Sequence, residues 1–77
     1  MKYFVYLLIC SDSTLYCGIT NNIEKRLKAH NSGKGSKYCK ARLPVKLFKF
    51  FEVENKSLAL KLEYKIKQMS RSEKLKL

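Results

Sequence analysis

The 77-residue sequence predicts a single α+β domain in which helices flank a small three-stranded antiparallel sheet. Apolar residues first follow the pattern of extended strands and later recur at helical spacing. The predicted elements run in the order β-β-α-β-α-α. One domain covers residues 1–77, because a chain of this length has no room for a second module. An apolar content of 45% also excludes a disordered basic tail.

The first two strands are predicted to form a β-hairpin. The run from Tyr3 to Cys10 is apolar on both faces, as in a strand covered on both sides. Ser11-Asp12-Ser13 supplies a turn, and Thr14 to Thr20 forms the second strand. If even-numbered residues face even-numbered ones, Tyr6 and Tyr16 are diagonal neighbours on one face of the sheet. A shift of one residue would separate them.

The first helix is predicted between a start signal at Thr20-Asn21-Asn22 and a stop signal at Ser32-Gly33. Its inward stripe has helical spacing and consists of Ile23, Leu27 and His30. Arg26 lies at the edge of this stripe, one turn before His30. The helix therefore directs two polar groups toward the sheet.

The rest of the chain is predicted as a loop, a strand and two helices. Residues 33–42 form a basic loop, and a strand runs from Val45 to about Val53. The next helix is capped by Asn55 or Ser57 and ends near Met69. Its apolar stripe comprises Leu58, Ala59, Leu62, Ile66 and Met69, with Glu63 at the margin. Ser70-x-x-Glu73 has capping-box spacing for a short last helix.

The net charge of +11 favours a polyanionic partner. Between residues 34 and 49 the sequence has six basic side chains and no acidic one. Nucleic acid is therefore the expected partner, and the predicted contacts are Lys34, Lys37, Lys40 and Arg42. The alternative is a solvated face that serves only solubility. No apolar run is long enough to cross a bilayer, and no membrane partner is expected.

The cysteine and glycine patterns exclude several kinds of cofactor site. The three cysteines have no C-x-x-C spacing and form neither a zinc-finger pattern nor a secreted disulfide framework, which favours a reducing cytoplasm. Cys10 and Cys17 are expected in the core. Gly33-Lys34-Gly35-Ser36-Lys37 lacks the residue order of a phosphate-binding loop, so no nucleotide cofactor is expected.

Five polar side chains are expected on one side of the molecule: Tyr6, Tyr16, Arg26, His30 and Glu63. Phosphodiester hydrolysis needs a deprotonated nucleophile, positive charge at the phosphoryl oxygens and a route for the leaving-group proton. This set could supply all three, with Glu63 holding a divalent cation whose shell is completed by water and phosphate. Each residue also has a structural interpretation. The tyrosines and His30 could be satisfied core residues, and Glu63 could pair with Arg26 or a lysine.

The ordered set of motifs resembles the GIY-YIG nuclease superfamily. Phe4-Val5-Tyr6 and Tyr16-Cys17-Gly18 correspond to the two tripeptides that name it, with Phe4 and Cys17 as departures expected to affect packing more than catalysis. Two further segments, 31–38 and 63–67, look like its small stand-alone bacterial members of the UPF0213 type. The resemblance covers nearly the whole chain.

The resemblance implies a DNA endonuclease that uses one divalent ion, Mg²⁺ or Mn²⁺. It assigns one of Tyr6 and Tyr16 to the activation of water, Arg26 to the phosphate and Glu63 to the metal. His30 would assist proton transfer, and Gly18 would allow close approach at the site. It also suggests structure-selective cleavage in DNA repair or recombination, with RNA as an alternative substrate and a protein partner as a source of specificity. Two alternatives remain: a non-catalytic nucleic-acid-binding module with the nuclease fold, and a protein-interaction domain.

Overall fold

A computed structural model describes residues 2–77, within which three strands and four helices form. In chain order they are β1 (Tyr3–Ile9), β2 (Leu15–Thr20), α1 (Ile23–Asn31), α2 (Lys37–Lys40), β3 (Lys46–Val53), α3 (Lys56–Lys67) and α4 (Arg71–Leu75). The strands form one antiparallel sheet in the order β2-β1-β3. The predicted α+β class is confirmed, with β2 and β3 as the two edges of the sheet.

The hairpin register places the two motif tyrosines on one face of the sheet. Tyr6 pairs with Gly18 and Leu8 pairs with Tyr16, so even-numbered residues of β1 face even-numbered residues of β2. The conditional expectation that Tyr6 and Tyr16 are diagonal neighbours is confirmed. The hairpin register alone is sufficient to place both tyrosine side chains on that face.

The sheet separates two hydrophobic cores. The side covered by α1 and α2, called the α1 face, buries Tyr6, Leu8, Cys10, Cys39 and Val45. The side covered by α3, called the α3 face, buries Val5, Leu7, Cys17, Ala59 and Ile66. Successive residues of a strand point to opposite faces, so β1 contributes to both cores.

The predicted basic loop is wrong in one respect, because it contains the short helix α2. The Ser36 side chain accepts a hydrogen bond from the Cys39 backbone N–H at 3.2 Å and caps the turn. Cys39 is completely buried, which anchors the turn in the α1-face core. The element order is therefore β-β-α-α-β-α-α rather than β-β-α-β-α-α.

The capping predictions for the later helices agree with the structure, whereas one boundary and one inward residue differ. Asn55 caps α3, and Ser70 with Glu73 forms the capping box of α4. However, α3 ends at Lys67 rather than near Met69, and the predicted inward residue Leu58 is exposed.

No helix within residues 2–77 is long and apolar enough to span a membrane.

Candidate active site

Tyr6 and His30 form a buried hydrogen-bonded pair between β1 and α1. The Tyr6 hydroxyl lies 3.0 Å from Nε2 of His30. Tyr6 is 2% exposed and His30 is completely buried. The other ring nitrogen, Nδ1, is buried without a hydrogen-bond partner among the described residues. The polar contact of the imidazole with the rest of the protein is therefore made through Tyr6.

Burial favours the neutral form of both members of this pair. It raises the pKa of Tyr6 to about 12, although a hydrogen bond from Arg26 acts in the opposite direction. Burial also lowers the pKa of His30, and the positive charge of Arg26 adds to that effect. The direction of the hydrogen bond between Tyr6 and His30 follows from the tautomer of the imidazole: with the proton on Nδ1, Nε2 accepts from the Tyr6 hydroxyl, and with the proton on Nε2, the imidazole donates to the Tyr6 oxygen.

Tyr16 completes an aromatic cluster around this pair and is more accessible than Tyr6. Its ring centroid lies 5.4 Å from that of His30 and 6.4 Å from that of Tyr6. Gly18 allows this packing: a Cβ built there would lie only 2.6 Å from the Tyr6 hydroxyl oxygen and 3.2 Å from Cε2 of Tyr16. Since Tyr16 is half-buried, it is the member of the cluster that solvent reaches more readily.

Gly35 supports the opposite side of the imidazole and was not identified from the sequence as a site residue. A Cβ built at Gly35 would overlap Nδ1 of His30 and lie 2.7 Å from its Cγ. Gly33 already supplies the positive φ of 81° just after α1. The turn therefore does not explain a second glycine two residues later. The presence of this extra glycine was the feature of the sequence that could have identified Gly35 as a site residue.

Arg26 lies at the β2 edge, where the two faces of the sheet meet. It lines a cavity of about 320 Å³ together with Tyr3, Ile19, Thr20, Asn21 and Lys56. Tyr3 and Ile19 pack on the α3-face core, whereas Arg26 belongs to α1. The cavity therefore lies at the end of β2, where the chain turns into α1, and has two cationic side chains, Arg26 and Lys56, in its lining.

Glu63 occupies the other side of the sheet from the tyrosines. Its side chain is 18% exposed and its Oε2 lies 3.3 Å from Nζ of Lys67. Cys17 is buried in the α3-face core, and this burial raises the pKa of its thiol to about 11. The negative charge of Glu63 adds to that effect, which shows that Glu63 lies near this core.

The structure thus brings together four of the five predicted residues, Tyr6, Tyr16, Arg26 and His30. The expectation that Glu63 shares their side is corrected, because α3 packs on the opposite face.

The helix that carries Glu63 nevertheless borders the cavity at the β2 edge. Lys56 lines that cavity with Arg26, and Glu63 follows it by seven residues. Seven residues are two helical turns, so the two side chains lie on one side of α3 about 10 Å apart along its axis. A substrate at this edge would have the tyrosine cluster on one side and α3 on the other.

The possible metal ligands are few. Within residues 2–77 there is no group of three or more His, Cys, Asp and Glu side chains that could hold a metal ion. Glu63 alone fits a cation that keeps most of its waters and takes further ligands from a phosphate, as Mg²⁺ does. It does not fit an ion that needs a complete protein shell.

The four predicted nucleic-acid contacts differ in their surroundings. Lys34, Lys37 and Lys40 are exposed. Arg42 instead donates from Nε to Oδ2 of Asp12 at 3.0 Å, and its guanidinium carbon lies 3.9 Å from the centroid of the Tyr38 ring. Three lysines are therefore presented to solvent, whereas Arg42 is engaged within the protein.

The chain is similar to members of a known protein family. The family model for the GIY-YIG catalytic domain matches residues 2–76. The UPF0213 protein of Syntrophus aciditrophicus is 60% identical over 77 residues, covering 99% of this chain and 88% of that protein. The UPF0213 protein YsiG of Lactococcus lactis is 53% identical over 77 residues, covering 99% of this chain and 74% of that protein.

Two solved structures are also similar over nearly the whole chain. The solution NMR structure of the UPF0213 protein BH0048 from Bacillus halodurans is 39% identical with a TM-score of 0.60, and the match covers 96% of this chain and 79% of that one. The solution NMR structure of EF2693 from E. faecalis is 36% identical with a TM-score of 0.67 and covers 99% and 81%.

Proposed function

Because the chain belongs to the GIY-YIG domain family, which is a nuclease family, we propose that it is an endonuclease that hydrolyses phosphodiester bonds in DNA with a divalent metal ion. One observation carries this proposal: the rings of two tyrosines, one of them hydrogen-bonded to a neutral imidazole, pack together beside Arg26 at an open sheet edge. The net charge of +11 supports a polyanionic substrate.

In the proposed reaction Tyr16 contacts the attacking water, because it is the more accessible tyrosine. Arg26 neutralises charge on the phosphoryl oxygens as the phosphorus is attacked. The Tyr6 and His30 pair lies beside Arg26, and we assign to His30 the tautomer with its proton on Nδ1, so that Nε2 is a proton acceptor. The high pKa of Tyr6 is consistent with a hydroxyl that relays a proton to its neighbour rather than one that ionises.

Glu63 is the proposed ligand for the divalent ion that GIY-YIG nucleases generally use. When bound, that ion would add positive charge at the phosphoryl oxygens and lower the pKa of a coordinated water. Glu63 would supply one carboxylate oxygen, leaving the remaining positions to water and phosphate. Before this, Lys67 has to give up or share its ion pair with Glu63.

The proposed DNA contacts beyond the site are Lys34, Lys37 and Lys40, which follow α1 and continue through α2. These lysines would hold the phosphate backbone without reading bases. We therefore propose that selection depends on DNA shape, such as a branch or flap met in repair or recombination. The proposed compartment is the cytoplasm, where the three buried free thiols would stay reduced.

The experiment is cleavage of linear, branched and single-stranded DNA in Mg²⁺, Mn²⁺ or EDTA. The test variant is Glu63→Gln, which keeps the side-chain shape, and its control is Glu24→Gln at an exposed position of α1. We expect metal-dependent cleavage that Glu63→Gln abolishes and Glu24→Gln preserves, with DNA affinity retained in both. Equal cleavage by the two variants would contradict the assignment of Glu63.

A second candidate, the non-catalytic nucleic-acid-binding module, has one observation in its favour. The pKa of Tyr6 is about 12, so its hydroxyl stays protonated at pH 7. The Glu63 carboxylate is engaged in an ion pair with Lys67. This candidate predicts DNA binding that weakens with salt, with log K falling by about 0.9 per phosphate contact, and no cleavage with either metal.

A further inference from the structure

Tyr16 does not stand alone on its edge strand but packs on a second tyrosine from α2. The rings of Tyr16 and Tyr38 are stacked, with centroids 6.0 Å apart and an interplanar angle of 29°. The remaining ring contacts of Tyr16 are with Tyr6 and His30. Its orientation is therefore set by aromatic neighbours, of which Tyr38 is the one outside the buried pair.

Tyr38 is in turn held by Arg42. The guanidinium carbon of Arg42 lies 3.9 Å from the centroid of the Tyr38 ring, and its Nη1 donates to the Tyr38 carbonyl oxygen at 3.0 Å. The same guanidinium thus contacts both the ring and the backbone of residue 38. Lysine could not reproduce this arrangement, because it lacks the planar group with several fixed donors.

The hairpin turn anchors Arg42 at its other end. Nε of Arg42 donates to Oδ2 of Asp12 at 3.0 Å. Asp12 also accepts from the backbone N–H and the hydroxyl of Thr14, at 3.1 and 2.6 Å, so its carboxylate is fixed within the turn before β2. In addition, the Ser11 N–H donates to the Arg42 carbonyl at 3.0 Å. A continuous series of contacts therefore runs from the turn through Arg42 and Tyr38 to Tyr16.

We propose that Arg42 and Tyr38 are positioning residues for Tyr16, and that Arg42 is not a phosphate contact. The proposal rests on the function proposed above, in which Tyr16 contacts the attacking water. Arg42 differs from Lys37 and Lys40 on the neighbouring helix, which are exposed. Its own side chain is 33% exposed and is engaged with Asp12 and Tyr38. The positive charge of Arg42, Lys37 and Lys40 predicted the same DNA-binding role for all three. Their contacts show that only the two lysines are presented to solvent.

The two roles of Arg42 predict different results for a substitution that keeps the charge. If Arg42 bound a phosphate, Arg42→Lys would retain most activity. If Arg42 positions Tyr16, the same variant loses turnover by roughly 10–100-fold, the size expected when a reacting group is misplaced by about an ångström. DNA affinity should change by less than about twofold.

The kinetic experiment compares Arg42→Lys, Arg42→Met, Tyr38→Ala and Tyr38→Phe, with Lys40→Met as the matched loss of one exposed charge. We expect Tyr38→Phe to retain turnover because it keeps the ring, and Tyr38→Ala to lose it. Lys40→Met should lower the salt slope of log K by about 0.9, whereas Arg42→Met should leave it unchanged. Full turnover in Arg42→Lys, or a lower salt slope in Arg42→Met with unchanged turnover, would overturn the proposal.

A measurement without DNA separates this proposal from the proposed function. The ring signals of Tyr16 can be assigned by NMR in ¹³C-tyrosine-labelled protein with Tyr16→Phe, and their NOEs to the His30 ring report where the Tyr16 ring lies. We expect these NOEs to weaken in Tyr38→Ala and Arg42→Lys and to match the wild type in Lys40→Met. Unchanged Tyr16–His30 NOEs in folded Tyr38→Ala would refute the positioning role even if cleavage is lost. Weakened NOEs in a protein that never cleaves DNA would leave the positioning role supported and the nuclease proposal refuted.

Discussion

The two faces of the sheet share β1 but have different interiors. On the α3 face the buried side chains are aliphatic, alanine or cysteine, as Val5, Ala59 and Ile66 illustrate. On the α1 face the core includes Tyr6, which is hydrogen-bonded to the buried His30. Since alternate residues of a strand point to opposite sides, one strand can serve packing on one face and chemistry on the other.

Both faces bury neutral titratable groups and keep their full charges at the margins. Burial raises the pKa of Tyr6 to about 12 on the α1 face and that of Cys17 to about 11 on the α3 face, so both groups are neutral at pH 7. The full charges of Arg26 and Glu63 lie at the margins instead, where the two faces meet at β2 or face solvent. Proton-exchanging groups are thus inside one core, and the carboxylate is beside the other.

Among substitutions on the α1 face, removal of one hydroxyl has the largest expected effect on turnover. Tyr16→Phe keeps the ring contacts with His30 and Tyr38 but loses the group proposed to contact water. We expect turnover to fall by roughly 10²–10⁴-fold, or about 3–5 kcal/mol of barrier, with little change in stability. The control is Tyr64→Phe, which removes the same group from an exposed position on α3. Equal turnover of the two variants would remove Tyr16 from the mechanism.

A cavity in the α3 face should have the opposite profile. Ile66 is 1% exposed, and Ile66→Ala is expected to lower the free energy of unfolding by about 2–5 kcal/mol. Turnover of the folded fraction should stay near the wild-type value, because Ile66 packs in the α3-face core with Val5 and Leu7 and not in the tyrosine cluster. Urea denaturation and single-turnover cleavage at low temperature measure the two quantities. A loss of turnover comparable to that of Tyr16→Phe would show that the faces are not separable.

The sequence predicted the features that depend on local pattern. Two extended runs around a turn signal predicted the hairpin, and its observed register meets the condition under which Tyr6 and Tyr16 are neighbours. The spacing of Ser70 and Glu73 predicted the capping box. Helix α2 was missed because its signals are only a Ser36 cap and one buried residue, Cys39, in a basic segment.

Features that depend on contacts distant in sequence could not be predicted in the same way. Helical spacing shows which side of α3 is apolar, but it does not say which face of the sheet that side covers, so Glu63 was placed with the tyrosines. Likewise, composition gave Arg42 and Lys40 the same role, although Arg42 contacts Asp12, 30 residues before it. Gly35 became informative only when its closeness to His30 was known.

Gly35→Ala tests whether the polar pair of the α1 face depends on its support. The added Cβ would overlap the His30 ring, so the ring has to move away from Tyr6 or the loop has to shift. We expect a loss of about 1–3 kcal/mol of stability and a weaker Tyr6–His30 hydrogen bond. Because His30 is the only histidine, its NMR signals report that bond without ambiguity. Unperturbed His30 signals in the folded variant would contradict the close packing.

Acid should destabilise the protein through His30. Burial lowers the pKa of His30, so the unfolded chain takes up this proton before the folded protein does as the pH falls. The contribution to stability is therefore fully present above the unfolded value of about 6.5 and is lost as the pH falls through the folded pKa. One proton limits the slope to about 1.4 kcal/mol per pH unit. NMR titration of the single histidine measures the shift directly, and a pKa at or above about 6.5 would contradict it.

The smallest expected effect concerns the margin of the α3 face, where Lys67 competes with any cation for Glu63. The pair has i,i+4 spacing, Lys67 is half-exposed, and such pairs contribute about 0.3–0.5 kcal/mol. Lys67→Met should therefore strengthen Mn²⁺ binding about twofold, as measured by electron paramagnetic resonance. The control is Lys65→Met, which removes an exposed charge from the same helix and reports the effect of net charge alone. If both variants bind Mn²⁺ equally, the ion pair does not limit access to Glu63. A larger gain in Mn²⁺ affinity for Lys67→Met than for Lys65→Met would indicate that Lys67 must leave Glu63 before a cation binds there.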